Sequence, residues 1–192
     1  MAFSLEPRLN IDLEKLEQEF HRLSRRLHPD RFARATENEK EWSLADTALL
    51  NDAYRTLKDP IRRTEYLLKL HGAEIGEEHA GKNRRPNEMG ASRAPADLLE
   101  EVFDLNMQLE EMRAAKASGD EDPSLKQSLT EAKSKFEGLL HAVDNDLRGE
   151  WNAWDVGDPS ARHTAQNNMV ALLDRRRYLS NLVREVNETL GA

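Results

Sequence analysis

The sequence predicts an all-α protein, and three observations lead to that fold class. Apolar residues recur at steps of three and four along most of the chain, which is the spacing of one face of an α-helix. No segment alternates apolar and polar residues for long enough to predict a β-strand. Proline and glycine lie mostly between the periodic segments, where they end helices instead of interrupting them.

The first predicted helix begins after Asp12, a residue type that caps helix N-termini. Pro29 disfavours the helical conformation in the residue before it, so this helix should end at or before His28. His28, Pro29 and Asp30 would then form a loop at the tip of a helical hairpin. The apolar face of the helix consists of Leu13, Leu16, Phe20, Leu23 and Leu27.

Two further helices follow the loop. The first has a predicted apolar stripe of Ala45, Leu49, Ala53 and Leu57. Pro60 then separates it from a short helix over Ile61–Leu70, which His71-Gly72 ends as a glycine cap. Residues 73–95 are polar, rich in glycine and without a period, so we interpret them as a linker.

Three long helical patterns occupy the remainder, residues 96–192. Each has one apolar stripe, and three such helices bury their stripes by packing together as a bundle. Gly119–Pro123 and Val156–Pro159 supply the two turns. The stripes are Leu98, Val102, Leu105, Leu109 and Met112; then Leu125, Leu129, Ala132, Phe136, Leu140, Val143, Leu147 and Trp151; and finally Met169, Leu172, Leu179, Val183, Val186 and Leu190.

Composition limits the classes of function. A chain of 192 residues fits one or two small domains, and 38% hydrophobic with 33% charged residues favours thin helical layers. A net charge of -8 argues against a general nucleic-acid binder, and the lack of cysteine excludes disulfides, zinc ribbons and thiol chemistry. No apolar run has the length of a membrane span, and the N-terminus lacks a secretory signal. We therefore expect a soluble cytoplasmic protein without nucleic-acid or membrane partners.

The loop lies beside a local concentration of positive charge. Five arginines and only one acid occur between His21 and Arg34, although the chain as a whole is acidic. Such a patch suggests an acidic partner that is attracted electrostatically. The alternative is a solvated helix face, which is the usual role of a run of charges. The tripeptide alone could be either a chance match or a functional motif.

A second candidate surface is the first helix of the predicted bundle. Leu99, Phe103 and Met107 form a row beside the stripe that already serves the core. Both rows could be buried, because wide apolar stripes are common. Otherwise the second row is an exposed apolar strip with an acidic rim, which is typical of a binding site. The rim would consist of Asp97, Glu100, Glu101 and Asp104.

These features resemble the J-domain of DnaJ-like co-chaperones, in which a basic helix, a His-Pro-Asp loop and a further helix follow one another. HPDRFA, ALLNDAYRTLKDPIRRTEYLLKLHG and EVFDLNMQLEE are similar to the HscB type, which serves iron–sulfur cluster assembly. The resemblance spans about Phe3–Gly72 and Ala96–Leu190, and it includes the elements Asn51–Tyr54 and Arg63–Leu68. It implies a J-domain over 1–72, a linker over 73–95 and a scaffold-binding three-helix bundle over 96–192.

The resemblance also implies a non-enzymatic adaptor that needs no cofactor. An ATPase chaperone of the DnaK/HscA type would be triggered to hydrolyse ATP by His28, Pro29 and Asp30, and its acidic surface would receive Arg22, Arg25, Arg26 and Arg31. An IscU-type scaffold, on which clusters are built, would contact Leu99, Phe103, Asp104, Met107 and Tyr178. The chain departs from its relatives at Met107, where they show glutamate, and at Asn106, where they show arginine. The scaffold-binding surface is therefore expected to be more apolar here.

Two alternatives remain at this point. One is a J-domain co-chaperone that serves a different client. The other is an enzyme that uses His28 and Asp30 as base and acid, which would require tight geometry and a cleft.

Overall fold

The computed structural model describes residue 3 and residues 5–75, 95–119 and 122–191. Most of the predicted linker, residues 76–94, lies outside this part. The described residues form helices and no strand, which confirms the all-α prediction. The α-helices are α1 (Leu13–Leu27), α2 (Glu37–Lys58), α3 (Pro60–Leu70), α4 (Leu99–Ser118), α5 (Pro123–Val156) and α6 (Pro159–Leu190), with short 3-10 turns at Pro29–Phe32 and Ala96–Leu98.

The chain divides into two compact units. The N-terminal unit comprises residues 1–75 and 149–170, and the C-terminal unit comprises residues 76–148 and 171–192. Helices α5 and α6 therefore contribute to both units. The domain limits that the sequence suggested stay a prediction, but the tip of the α5–α6 hairpin belongs to the N-terminal unit.

Helices α1 and α2 share an apolar core in the N-terminal unit. Leu16 and Leu50 are buried at its centre, together with Phe3. The Phe20 and Tyr54 rings stack with centroids 4.1 Å apart, which adds an aromatic contact to this core. Asp12 caps α1 as expected, because its side chain accepts a hydrogen bond of 3.0 Å from the Lys15 amide. Gly72 has a φ of 77°, a left-handed conformation that glycine adopts at helix ends, and it follows α3 as predicted.

The predicted stripe of α2 is wrong at two of its four positions. Ala45 and Leu49 are exposed, whereas Ser43 and Leu50 are buried. The first half of the buried face is therefore rotated towards Ser43 and Leu50, whereas Ala53 and Leu57 pack against the core as predicted. Contacts with α1 decide this rotation, because α1 presents both apolar side chains and a free carbonyl group that a hydroxyl on α2 can bind.

The tip of the α5–α6 hairpin packs on α3 within the N-terminal unit. Trp151 Nε1 donates a buried hydrogen bond of 3.1 Å to Thr64 Oγ1, and the Arg63 guanidinium lies 4.9 Å from the Trp151 ring centroid. The Asp155 carboxylate accepts hydrogen bonds of 2.7 and 2.9 Å from the backbone amides of Leu9 and Asn10. Charged and aromatic contacts thus join segments that are far apart in the sequence.

The C-terminal unit has a core to which α4, α5 and α6 all contribute. All five predicted stripe residues of α4 are buried, which confirms that stripe. Phe136 of α5 and Leu182 of α6 lie in the same cluster. Ion pairs join the helices at the surface, for example Arg113 with Glu185 at 2.7 Å. None of the helices that the structure describes contains an apolar stretch of the length that a bilayer span requires.

Candidate functional site

The first candidate site is the loop between α1 and α2. His28 ends α1 with φ -57° and ψ 130°, an extended conformation that the following proline favours. Pro29 then starts a 3-10 turn, and His28 Nδ1 accepts a hydrogen bond of 3.3 Å from the Asp30 amide. The His28 and Asp30 side chains are 54% and 91% exposed. The turn therefore presents an imidazole and a carboxylate to the solvent.

The loop is attached to α2 through the last residue of α1. The Leu27 carbonyl accepts hydrogen bonds from Ser43 Oγ at 2.6 Å and from Thr47 Oγ1 at 3.2 Å. Helix ends leave carbonyl groups without helical partners, and these two hydroxyls satisfy one of them. Ser43 is itself buried. The position of His28 is consequently defined by α2 as well as by α1.

The predicted basic residues lie on the exposed face of α1 and on the turn. Arg25, Arg26 and Arg31 are exposed, and Arg25 Nε donates to the His21 carbonyl at 3.2 Å. Arg22 differs, because it forms an ion pair of 2.7 Å with Glu19 on the same helix. The hydrogen bond from Arg22 lowers the pKa of the Glu19 carboxyl. Part of the charge of Arg22 is thus already compensated within the chain.

The second candidate site is the outer face of α4. Leu99, Phe103 and Met107 recur every four residues and are all exposed, with Phe103 65% exposed. Only one of the two apolar rows of α4 is therefore buried, and the other is an exposed apolar strip beside the core stripe. Asp104 is exposed next to Phe103. We call Leu99, Phe103 and Met107 the α4 strip.

Other predicted residues of this site have different surroundings. Tyr178 is half-buried and packs against the core of the C-terminal unit, and burial raises the pKa of its phenol. The rim carboxylates Asp97 and Glu101 form ion pairs with Arg175 at 2.7 Å and with Lys135 at 3.2 Å. These pairs join the 3-10 turn before α4 to α6, and the first turn of α4 to α5. Among the described residues, no such ion pair involves Asp104, the predicted carboxylate of this site.

Sequence reasoning missed the residues that hold or border the loop. Ser43 and Thr47 were not expected to contact Leu27, and Trp42 was not singled out although it is 68% exposed. A serine and a threonine four residues apart on one helix face could have been a signal. Hydroxyls at that spacing can reach a common acceptor, but the sequence does not say which carbonyl lies opposite.

The geometry does not resemble a catalytic pair. His28 Nδ1 and Asp30 Oδ2 are 3.5 Å apart, and both side chains are more than half exposed to water. General acid–base catalysis normally requires a site that positions a substrate and excludes water. In the described ranges, no group of three or more His, Asp or Glu side chains could hold a metal ion. A surface that contacts another protein fits the arrangement better.

Comparison with curated proteins identifies relatives for part of the chain. A co-chaperone protein HscB homolog of Shewanella halifaxensis is 46% identical over 76 residues, which cover 40% of this chain and 44% of that protein. The HscB homolog of Shewanella sp. strain W3-18-1 matches to the same extent. The chain thus aligns with less than half the length of these curated relatives. No protein-family model matches it.

Comparison with solved structures covers nearly the whole chain. The chaperone HscB from Vibrio cholerae superposes with a TM-score of 0.63 and 25% identity, over 97% of this chain and 93% of that one. The human co-chaperone protein HscB superposes with a TM-score of 0.64 and 24% identity, over 97% of this chain and 79% of the human one, which shows a shared fold. The all-helical architecture is therefore that of HscB structures.

Proposed function

We propose that this chain, which is related to the HscB-type co-chaperones, acts as a co-chaperone in iron–sulfur cluster assembly. One surface would contact an ATPase chaperone of the DnaK/HscA type, and another would hold an IscU-type scaffold protein. The chain itself would perform no catalysis and need no cofactor. The observation that carries the proposal is the exposed His28-Pro29-Asp30 turn beside the arginines of α1.

The chaperone would be recognised through the turn and the basic face. Arg22, Arg25, Arg26 and Arg31 would attract an acidic surface and orient the encounter, because opposite charges steer association. The turn would then contact the chaperone and favour the conformation that hydrolyses ATP. Its attachment to α2 through the Leu27 carbonyl supports this role, since a trigger must be held in one geometry to act on a partner. His28, Pro29 and Asp30 would be the triggering residues.

The scaffold would be recognised through the α4 strip. Exposed apolar side chains surrounded by polar ones are typical of protein interfaces, and aromatic residues contribute strongly to their stability. Phe103 would be the principal contact, with Leu99, Met107 and Asp104 around it. Tyr178 would contribute from α6 only through the part of its ring that remains exposed. Binding of both partners by one chain raises the effective concentration of the scaffold at the chaperone.

A direct test is an ATPase assay with a purified HscA-type chaperone. The full chain should stimulate ATP hydrolysis, and an IscU-type scaffold should increase the stimulation further. His28→Gln should abolish stimulation, because glutamine cannot reproduce the imidazole. Circular dichroism would establish that the variant is folded, as expected for a side chain that is 54% exposed.

Two results would contradict the proposal. Lack of stimulation by the folded wild-type chain with every HscA-type and DnaK-type chaperone would exclude the co-chaperone role. Full stimulation by His28→Gln would exclude the triggering role of the turn. Stimulation of the chaperone together with failure to bind purified scaffold would instead favour a J-domain co-chaperone with a different client.

A further inference from the structure

Helix α2 has an exposed apolar strip of its own. Trp42 and Leu49 are 68% and 69% exposed, and they lie seven residues apart with the exposed Ala45 between them. Seven residues make almost two turns, so these side chains share one face over about 10 Å of the helix axis. Isolated exposed apolar residues are common, but this tryptophan and leucine lie on one helix face, and the exposed side chains between them are those of Ala45 and Asp46. We call Trp42, Ala45 and Leu49 the α2 strip.

The α2 strip begins beside the His28-Pro29-Asp30 turn. Trp42 directly precedes Ser43, whose hydroxyl donates at 2.6 Å to the carbonyl of Leu27, the residue before His28. Ordinary bond lengths then keep the Cα atoms of Trp42 and His28 within about 12 Å of each other. Both belong to the N-terminal unit. The strip thus begins close to the turn that the proposed function assigns to the chaperone.

An interface of ordinary size centred on the turn is large enough to reach the start of this strip. A standard interface buries about 800 Å² on each partner, which corresponds to a patch roughly 15 Å in radius. A patch of that size centred on the turn would include Trp42. A surface made only of arginines and a short turn would attract the chaperone quickly but bind it with low affinity, because exposed ion pairs contribute about 0–1 kcal/mol each. Tryptophan is among the residues most enriched at energetically dominant contacts.

We infer that the α2 strip is the apolar anchor of the chaperone interface, with Trp42 as its principal contact. The inference rests on the proposed function, and it specifies the partner surface: an apolar depression next to the acidic patch that receives the arginines. Charge and apolar contact then have separate tasks. The arginines set the rate of encounter, and Trp42 slows dissociation.

The test is a titration of chaperone ATPase activity with full-length variants. Trp42→Ala should raise the concentration for half-maximal stimulation about tenfold, and Leu49→Ala should raise it less. The maximal stimulation should be unchanged, because the triggering turn is intact. Leu44→Ala is the matched control: Leu44 is 59% exposed on the same helix but lies about 200° around it from Trp42. That variant should behave as the wild type.

Several outcomes would overturn the inference. Trp42→Ala and Leu44→Ala could require the same concentration for half-maximal stimulation. Alternatively, Trp42→Ala could weaken binding of the scaffold and leave chaperone stimulation intact. Sedimentation could also show a wild-type dimer that Trp42→Ala dissociates, which would assign the strip to a second copy of the chain. In each case stimulation by the wild type and its loss in His28→Gln would keep the proposed function. A wild type that does not stimulate would refute both.

Discussion

Ser43 Oγ lies 2.6 Å from the carbonyl oxygen of Leu27, the last helical residue before His28. This contact joins a buried hydroxyl of α2 to the end of α1, at the point where the exposed turn begins. It connects the packing of the helical hairpin with the geometry of the residues proposed to act on a chaperone.

Removal of this hydroxyl should loosen the turn. Ser43→Ala leaves Thr47 as the remaining hydroxyl donor to the Leu27 carbonyl, so the free energy of unfolding should fall by about 1 kcal/mol. Hydrogen exchange at the amides of residues 30–33 should accelerate, and stimulation of the chaperone should decrease. Urea denaturation and exchange measured by mass spectrometry would check this. Ser24→Ala, on α1, is the control; equal exchange in both variants would contradict the anchoring role.

The hairpin tip should stabilise the N-terminal unit through Trp151. Trp151→Phe removes the buried hydrogen bond to Thr64 and leaves a smaller ring facing Arg63, so the free energy of unfolding should fall by about 1–3 kcal/mol. Trp154→Phe is the matched control, because Trp154 is as buried as Trp151 but contacts the His71 ring instead. A double-mutant cycle with Thr64→Val would isolate the hydrogen bond. A coupling energy near zero would show that the bond contributes nothing.

The α4 strip should bind the scaffold mainly through Phe103. Phe103→Ala should raise the dissociation constant by at least tenfold, as truncation of an anchoring aromatic residue typically costs about 2 kcal/mol or more. Val156→Ala is the control, since Val156 is similarly exposed but belongs to the N-terminal unit. Isothermal titration with an IscU-type protein would measure both. Unchanged affinity in Phe103→Ala would exclude this face as the binding site.

Chaperone docking should weaken as the salt concentration rises. The arginines of α1 are exposed, and charges at a surface are screened beyond about 8 Å at physiological ionic strength. Arg26→Ala should lower the association rate about threefold at low salt and have little effect at high salt. Arg55→Ala is the control, because Arg55 is exposed on α2 and pairs with Asp52 at 3.6 Å. Association rates that do not depend on salt would rule out steering by these arginines.

The ion pair between Asp97 and Arg175 should stabilise the C-terminal unit at neutral pH and lose this effect in strong acid. Hydrogen bonds from Arg175 lower the pKa of the Asp97 carboxyl below its ordinary value of 3.8. The folded state therefore binds the proton less readily than the unfolded state, and the contribution is complete above about pH 4. It is lost as the pH falls through the lowered pKa.

Unfolding measured in urea at pH 7 and at about pH 2 would test this ion pair. Asp97→Asn should be less stable than the wild type at pH 7, and the difference should shrink at low pH, where the wild-type carboxyl is also neutral. Asp104→Asn, which changes an exposed carboxylate on the same helix, is the control. An Asp97→Asn difference that is the same at both pH values would exclude the linkage.

The helices and most of their buried stripes could be predicted because they depend on local spacing. Five stripe residues of α4 were predicted correctly, and so was the end of α1 at Leu27, since Pro29 restricts the residue before it. The predicted stripe of α2 was wrong at Leu49 because small and polar residues occur on several faces of this helix, so its apolar face is poorly marked in the sequence. Its orientation depends on contacts with α1.

The amino-acid sequence by itself determined the helical class, the helix ends and the exposed His28-Pro29-Asp30 turn, because proline, glycine and capping residues act on neighbours within a few positions. Only the tertiary structure decided that Ser43 holds the Leu27 carbonyl, that Trp151 joins Thr64, and that Phe103 stays exposed beside a buried stripe. The two contacts join residues that are 16 and 87 positions apart in the sequence. Local spacing carries no information about which distant backbone or side chain arrives opposite a given residue.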